Sequence, residues 1–399
     1  MNTTADPYTI ISSDCHAGGR MVMYQEYLED EWQDEFAEWR GAYKNPFRDL
    51  QDDGRSRNWD DDRRISEMAA DGVVAEITFP NTVPPFFPTG QLISYPPRGG
   101  RDLERRQAGL RAHNRWMIDW VAEYPAQRAG LAQLFLNDVD DAVAELKWAA
   151  DNGFRSFMLP SVPPDLGIPQ LFSRSYDPLW EVCQDLDMVI TQHGGNGTPE
   201  YGDEPASTLM YLMEVPFFAN RSLSHVIMAG VFERYPNLKF VMTEQGVGWA
   251  VDALRRMDGY HAQMTSGRIG ELGFPAEIVL PMKPSEYFAR NVWIGASFPS
   301  PKECEAIQTI GVDRVMWGSD YPHHEGTYPF SREALRRGMH DWSEQDMRKV
   351  LATNAAEVYG FDLAALAPLA AEHGPTVQEL RVSLDEIPAK ATSPAFHRP

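Results

Sequence analysis

The run Tyr8-Thr9-Ile10-Ile11-Ser12 followed by Ser13-Asp14-Cys15-His16 reads as a strand that ends in three polar or reactive side chains. Successive side chains of a strand point to opposite faces. Asp14 and His16 therefore share one face, and Cys15 takes the other. A carboxylate and an imidazole on one face at the end of a buried strand suit two metal ligands. The same pair also suits an Asp that braces a structural His, so the reading depends on what the rest of the chain supplies.

Seven more short apolar runs follow, at 73–79, 128–136, 154–160, 188–193, 237–244, 291–298 and 314–320. Helical patterns lie between them, at 59–71, 101–123, 139–152, 176–186, 209–232, 250–265 and 301–310, and more follow at 331–337 and 343–359. Ile65, Met68 and Ala69 are spaced for one apolar face, and Gly72 and Gly153 end their helices. Continuous apolar strands alternating with helices predict a parallel sheet buried on both faces. Eight such units predict an α/β fold, a (β/α)8 TIM barrel with inserted loops, whose chemistry gathers at the C-terminal strand ends. No G-x-G-x-x-G follows the first strand and no G-x-x-x-x-G-K-[ST] occurs, so an open nucleotide-binding sheet is disfavoured. The barrel is expected over 1–370, with an extended C-terminal tail over 371–399.

Lys and Arg total 36 and Asp and Glu 58, so the net charge is 36 − 58 = −22. That balance disfavours a nucleic-acid partner and an anionic membrane surface. No window approaches about 18 uninterrupted apolar residues, and the N-terminus lacks the basic and apolar regions of a secretory signal. Cys15, Cys183 and Cys304 are too widely spaced for a zinc knuckle or disulfide framework and suit a reducing compartment. The expectation is a cytoplasmic protein acting on a small molecule.

The strand ends carry the candidate chemistry. Asp14 and His16 end the first strand, His193 the fifth, Glu244 the sixth and Asp320 the eighth. Two histidines with two or three carboxylates suit one divalent ion, zinc first, with manganese or iron open. Such an ion can activate water or polarise a substrate oxygen. Asp320, Glu244 and His323 are the candidate catalytic groups. Phe86 and Phe87, in the Pro-rich aromatic loop 80–98, are candidate pocket walls; the same loop equally suits a structural one packed on the barrel rim. Arg20 and Arg98 could meet a substrate carboxylate, and His324 and His225 could reach the pocket. His113 reads as structural.

The passages Asp14-Cys15-His16, Gln192-His193-Gly194, Gly230-Val231-Phe232-Glu233-Arg234-Tyr235-Pro236 and Gly318-Ser319-Asp320-Tyr321-Pro322 resemble the amidohydrolase superfamily. Within it they resemble the amidohydrolase 2 branch, which includes aminocarboxymuconate-semialdehyde decarboxylase and γ-resorcylate decarboxylase. The resemblance spans roughly residues 8–362. It implies a single-metal barrel, a homodimer, and Asp14, His16, His193 and Asp320 as metal ligands. Asp14 stands where the known decarboxylases have His or Glu. Glu244 replaces the branch's catalytic His, and His323 or His324 could supply the missing imidazole. That departure favours a hydrolase, with metal-activated water attacking an amide, ester or lactone-type carbonyl. A non-oxidative decarboxylase of an aromatic or enoic acid is the alternative. A barrel kept only for binding is disfavoured by the nearly complete ligand set.

Overall fold

The computed structural model describes residues 6–45, 53–81, 84–89, 95–160, 162–195 and 197–398. Its eight barrel strands are β1 (Ile11–Ala17), β2 (Ala75–Pro80), β3 in two pieces (Arg128–Gly130 and Ala132–Gln133), β4 (Ser156–Met158), β5 (Val189–His193), β6 (Phe240–Thr243), β7 (Val292–Ser297) and β8 (Val315–Gly318). Each pairs in parallel with the next. The ring closes between β8 and β1 through a parallel bridge of Cys15 to Tyr321. His16 N donates to Tyr321 O at 2.7 Å, and Asp320 N donates to Asp14 O at 2.8 Å. The fold is the TIM barrel expected from the alternating pattern.

Strand parity sorts the side chains into two cores. Ile11, Ile77, Leu131, Val189, Val241, Trp293 and Met316 pack together inside the ring. Ile10, Ile190, Met242, Ile294 and Trp317 pack outward against the helices. With Ile11 inward, strict alternation would turn Cys15 inward and send Asp14 and His16 out. The β1–β2 register shifts between Ser12 and Cys15 instead. An irregularity of this kind re-aims the side chains beyond it. Cys15 joins the outer core, and Asp14 and His16 turn into the barrel mouth.

Two expectations are corrected. The helical pattern at 209–232 is two helices, Ser207–Met228 and Val231–Arg234, separated at Gly230, whose φ of 68° suits glycine. The extended tail expected over 371–399 is instead helical in part, as far as residue 398. Helix Leu363–His373 crosses the expected boundary, and Val377–Leu380 and Pro394–His397 follow it. Ala391, Ala395 and Phe396 give this segment an apolar face, which packs on Phe298, Phe330 and Ala334. Burying that face makes the segment part of the barrel's rim.

Candidate metal centre

β1, β5 and β8 bring Asp14, His16, His193 and Asp320 to one end of the barrel. Asp14 and Asp320 are 0 % exposed and His16 is 4 % exposed. His16 Nε2 lies 3.3 Å from Asp14 Oδ1 and 3.3 Å from Asp320 Oδ1. His193 Nε2 lies 3.5 Å from Asp14 Oδ1. Bonds of about 2.1 Å at tetrahedral or octahedral angles put neighbouring ligand atoms about 3.0–3.5 Å apart. Asp14 Oδ1, His16 Nε2, His193 Nε2 and Asp320 Oδ2 are buried and have no hydrogen-bond partner. Orphaned polar atoms are costly singly, and those of Asp14, His16 and His193, with ligand atoms within 4.8 Å of one another, are what a cation satisfies. The residues therefore fit a divalent ion.

The groups form a row rather than one symmetric cage. Asp14, His16 and His193 make one tight set, and His16, Asp320 and His323 make a second. Glu244, Asp320, His323 and Glu325 make a third, with ligand atoms within 4.8 Å of one another in each set. His16 links the first two sets, and Asp320 and His323 link the last two.

Other residues hold the inner ligands in place. Ser297 Oγ, at the end of β7, donates to Asp14 Oδ2. His16 Nδ1 lies 3.4 Å from Pro80 O, and its ring faces Phe79 and His323, at centroid distances of 5.7 and 4.0 Å. Phe79 also lies 4.6 Å from the His193 ring. His193 Nδ1 faces Glu244 Oε2 at 3.4 Å and Gly194 O at 3.2 Å. Glu244 thus stands behind a ligand histidine, the usual place of a carboxylate that orients one. Glu244 and Asp320 both adopt left-handed backbone, with φ of 56° and 59°. That conformation is unfavourable for a side chain with a Cβ and concentrates at functional sites.

The buried charges act on one another. Burial alone would raise the Asp14 pKa, but His16 and His193 hold it well below the usual carboxylate range. Burial alone would lower His193, but the Glu244 and Asp14 carboxylates raise it to about 9. Burial raises Glu244 to about 7, and Asp320 and Asp14 add to the rise against the pull of His193.

The other expected site residues divide. His323 reaches the site, with Nδ1 2.8 Å from Asp320 Oδ1 and Nε2 3.2 Å from Asn81 Oδ1. His324 is exposed, and its carbonyl accepts from Thr392 Oγ1 at 2.9 Å. Arg20 is exposed, and Arg98 pairs with Glu200 at 3.4 Å. His225 lines a small cavity of about 20 Å³ beside Gln192 and Arg221, and burial lowers its pKa to about 4. None of these four belongs to the metal-capable sets among the described residues. Phe86 is not a pocket wall. It is 2 % exposed and packs against Trp32, Phe36 and Trp39. Phe87 stacks near Phe135 under the Arg106 guanidinium. Burying both rings in the body is more favourable than leaving them on a loop. Thr82, Val83 and residues 90–94 of the same loop lie outside the described residues. His113 is fully buried beside Tyr24 Oη at 2.8 Å, as a structural His would be.

Ser297, Asn81, Phe79 and Glu325 were missed from sequence. Ser297 ends a recognised strand, Phe79 and Asn81 flank the end of another, and Glu325 follows His323 and His324. Position was the available signal; the residue types alone carried none.

The amidohydrolase family model matches residues 32–361, more than half of the chain. The chain belongs to this family. Among curated relatives of this amidohydrolase, the γ-resorcylate decarboxylase of Polaromonas sp. is 26% identical over 67% of this chain and 79% of its own length. The 2-amino-3-carboxymuconate-6-semialdehyde decarboxylase of Dictyostelium discoideum is 26% identical over 77% of this chain and 78% of its own. Among solved structures, the 5-carboxyvanillate decarboxylase of Sphingomonas paucimobilis superposes with a TM-score of 0.66 at 20% identity, covering 89% of this chain and 100% of that one. The dihydroxybenzoic acid decarboxylase of Polaromonas sp., solved with bound manganese, gives 0.61 at 21% identity, covering 88% and 97%.

This amidohydrolase is thus an enzyme of a metal-binding superfamily, and its site suits a divalent metal. The expectation of a hydrolase is overturned, because these relatives are decarboxylases. The physical reason is that one ligand set serves both chemistries. Whether water or a substrate carboxylate meets the ion depends on the pocket. Among the described residues, no helix is long and apolar enough to cross a membrane.

Proposed function

We propose that this amidohydrolase-family enzyme is a non-oxidative, metal-dependent decarboxylase of an aromatic or enoic acid. The observation that carries the reading is the set of buried, unpartnered ligand atoms in a chain whose curated relatives decarboxylate such acids. Asp14, His16, His193 and Asp320 would hold the metal. A divalent ion held there would supply Lewis acidity toward a substrate carboxylate. The oxygen-rich set and the manganese in a solved relative favour manganese over the zinc first expected.

The chain's own groups divide the remaining work. Ser297 fixes Asp14, and Glu244 turns His193 toward the site. Phe79 offers an aromatic wall beside both histidines. The Asp320–His323 pair, 2.8 Å apart, holds a proton for the carbon that carbon dioxide leaves. The balance is one substrate carboxylate and one proton in, one carbon dioxide and one product with a C–H bond in place of the lost C–C bond out. Leu209, Leu212, Met213 and Phe217, all exposed on one helix, support a homodimer. Three buried free thiols support a cytoplasmic setting.

The test follows carbon dioxide release from a panel of hydroxybenzoates, carboxyvanillate and muconate-type acids by protein loaded with Mn²⁺ or Zn²⁺. Release matched mole for mole by the decarboxylated product supports the reading. Metal-loaded protein that releases none from the whole panel overturns it.

A further inference from the structure

Helix Asp61–Asp71 carries an arginine where its buried face would be expected to be apolar. Ile65 is only half-buried, whereas Arg64 is 0 % exposed. Its Nη1 donates to His16 O at 2.8 Å and to Arg57 O at 2.9 Å. Its Nε donates to Glu76 Oε1 at 2.9 Å, and Nη2 donates to Glu76 Oε2. Glu76 is itself 1 % exposed, on β2. The guanidinium lies 4.8 Å above the Tyr321 ring. One side chain therefore touches the last ligand residue of β1 and the residue next to Asp320 on the β8 side.

We infer that Arg64, backed by Glu76, is a positioning residue that holds the His16 and Asp320 strand ends at the spacing the metal needs. Burying an ion pair is a poor route to stability, since an apolar side chain fills the same space without the desolvation cost. Arginine brings a planar fork of donors that can bind a carbonyl and a carboxylate together while its face lies on a ring. The register of β1 to β2 shifts between Ser12 and Cys15 and resumes at Cys15–Thr78 and His16–Phe79, so the ligand end is paired in a register offset from the ladder below, and Arg64 binds at that offset end. The Tyr321 side is tied as well, because its hydroxyl donates to Glu67 at 2.8 Å and Glu67 is held by Arg57 and Arg63. The inference rests on the metal site of the proposed function and not on its reaction.

The test is Mn²⁺ titration of chelator-treated full-length protein, read by calorimetry and by the Mn²⁺ electron paramagnetic resonance signal. Wild type, Arg64→Lys, Glu76→Gln and Asp71→Asn are compared. Asp71 is a buried carboxylate on the same helix, bonded to Ser331, and controls for general loosening. Arg64→Lys and Glu76→Gln are expected to weaken Mn²⁺ binding by roughly 10–100-fold, as loss of an outer support does, with Asp71→Asn near wild type. If Arg64→Lys does not fold, Glu76→Gln decides. Folded variants that bind Mn²⁺ like wild type overturn the inference, and so does an equal loss in Asp71→Asn. Wild-type protein that binds no Mn²⁺ or Zn²⁺ fails the metal site itself, a separable result.

Discussion

The inner set of Asp14, His16 and His193 and the outer set of Glu244, His323 and Glu325 share one barrel mouth but are held differently. Each inner group is buried or nearly so and has a specific brace: Ser297 on Asp14, Pro80 O on His16, and Glu244 on His193. The outer groups are looser. Glu244 and His323 side chains are 23% and 17% exposed, and Glu325 is fully on the surface side. Rigid, dehydrated ligands suit metal affinity, whereas hydrated groups on a loop can adjust to a substrate. Asp320 stands between them, grouped with His16 on one side and with Glu244, His323 and Glu325 on the other.

The contrast breaks most readily at its inner end. Asp14→Ala and His193→Ala are expected to lose the metal, measured by elemental analysis, and to lower the proposed decarboxylation by about a thousandfold or more. Retention of a full metal equivalent in both would erase the distinction between the sets. Next comes the segment that supports the outer rim. Phe396, 1 % exposed against Phe298 and Phe330, should cost about 3 kcal/mol of unfolding free energy as Phe396→Ala, read by urea denaturation. A variant as stable as wild type would show that the C-terminal segment does not support the rim.

Glu244→Gln tests whether the outer carboxylate acts through His193. It is expected to keep the metal while lowering kcat roughly 10–100-fold. Loss of the metal in this variant would move Glu244 into the inner set. The smallest effect concerns a histidine outside both sets. Burial lowers the His113 pKa to about 3, below its ordinary value of 6.5. Between those values the unfolded chain binds the extra proton, so stability is full above pH ~6.5 and falls as pH falls. The loss between pH 6.5 and 5 should be about 2 kcal/mol. The urea midpoint of His113→Gln should depend less on pH over that interval, and an unchanged slope would refute the assignment.

Much of the barrel was legible because strand and helix periods are local. All eight apolar runs became strands, and Asp14, His16, His193, Glu244 and Asp320 were found at strand ends, where barrel geometry collects side chains. Phe86 was misplaced because an aromatic residue in a Pro-rich loop reads the same whether it faces solvent, substrate or core. The C-terminal segment was misread for a similar reason. Its apolar residues are few, and only the rim of the barrel shows what they cover. Arg64 had no signal at all, since a charged residue in a helix pattern is assigned to solvent by default.

By itself the sequence determined the order of the elements, the barrel, and the chemical types waiting at its strand ends. These follow from side-chain period and from the alternation of strand and helix. Tertiary structure decided which way those groups face and what holds them. The shift in β1 turned Asp14 and His16 into the mouth, and Ser297 came across the ring to Asp14, 283 positions away in the chain. Local pattern carries no information on either, because a register shift and a contact across a closed ring exist only once the strands are paired.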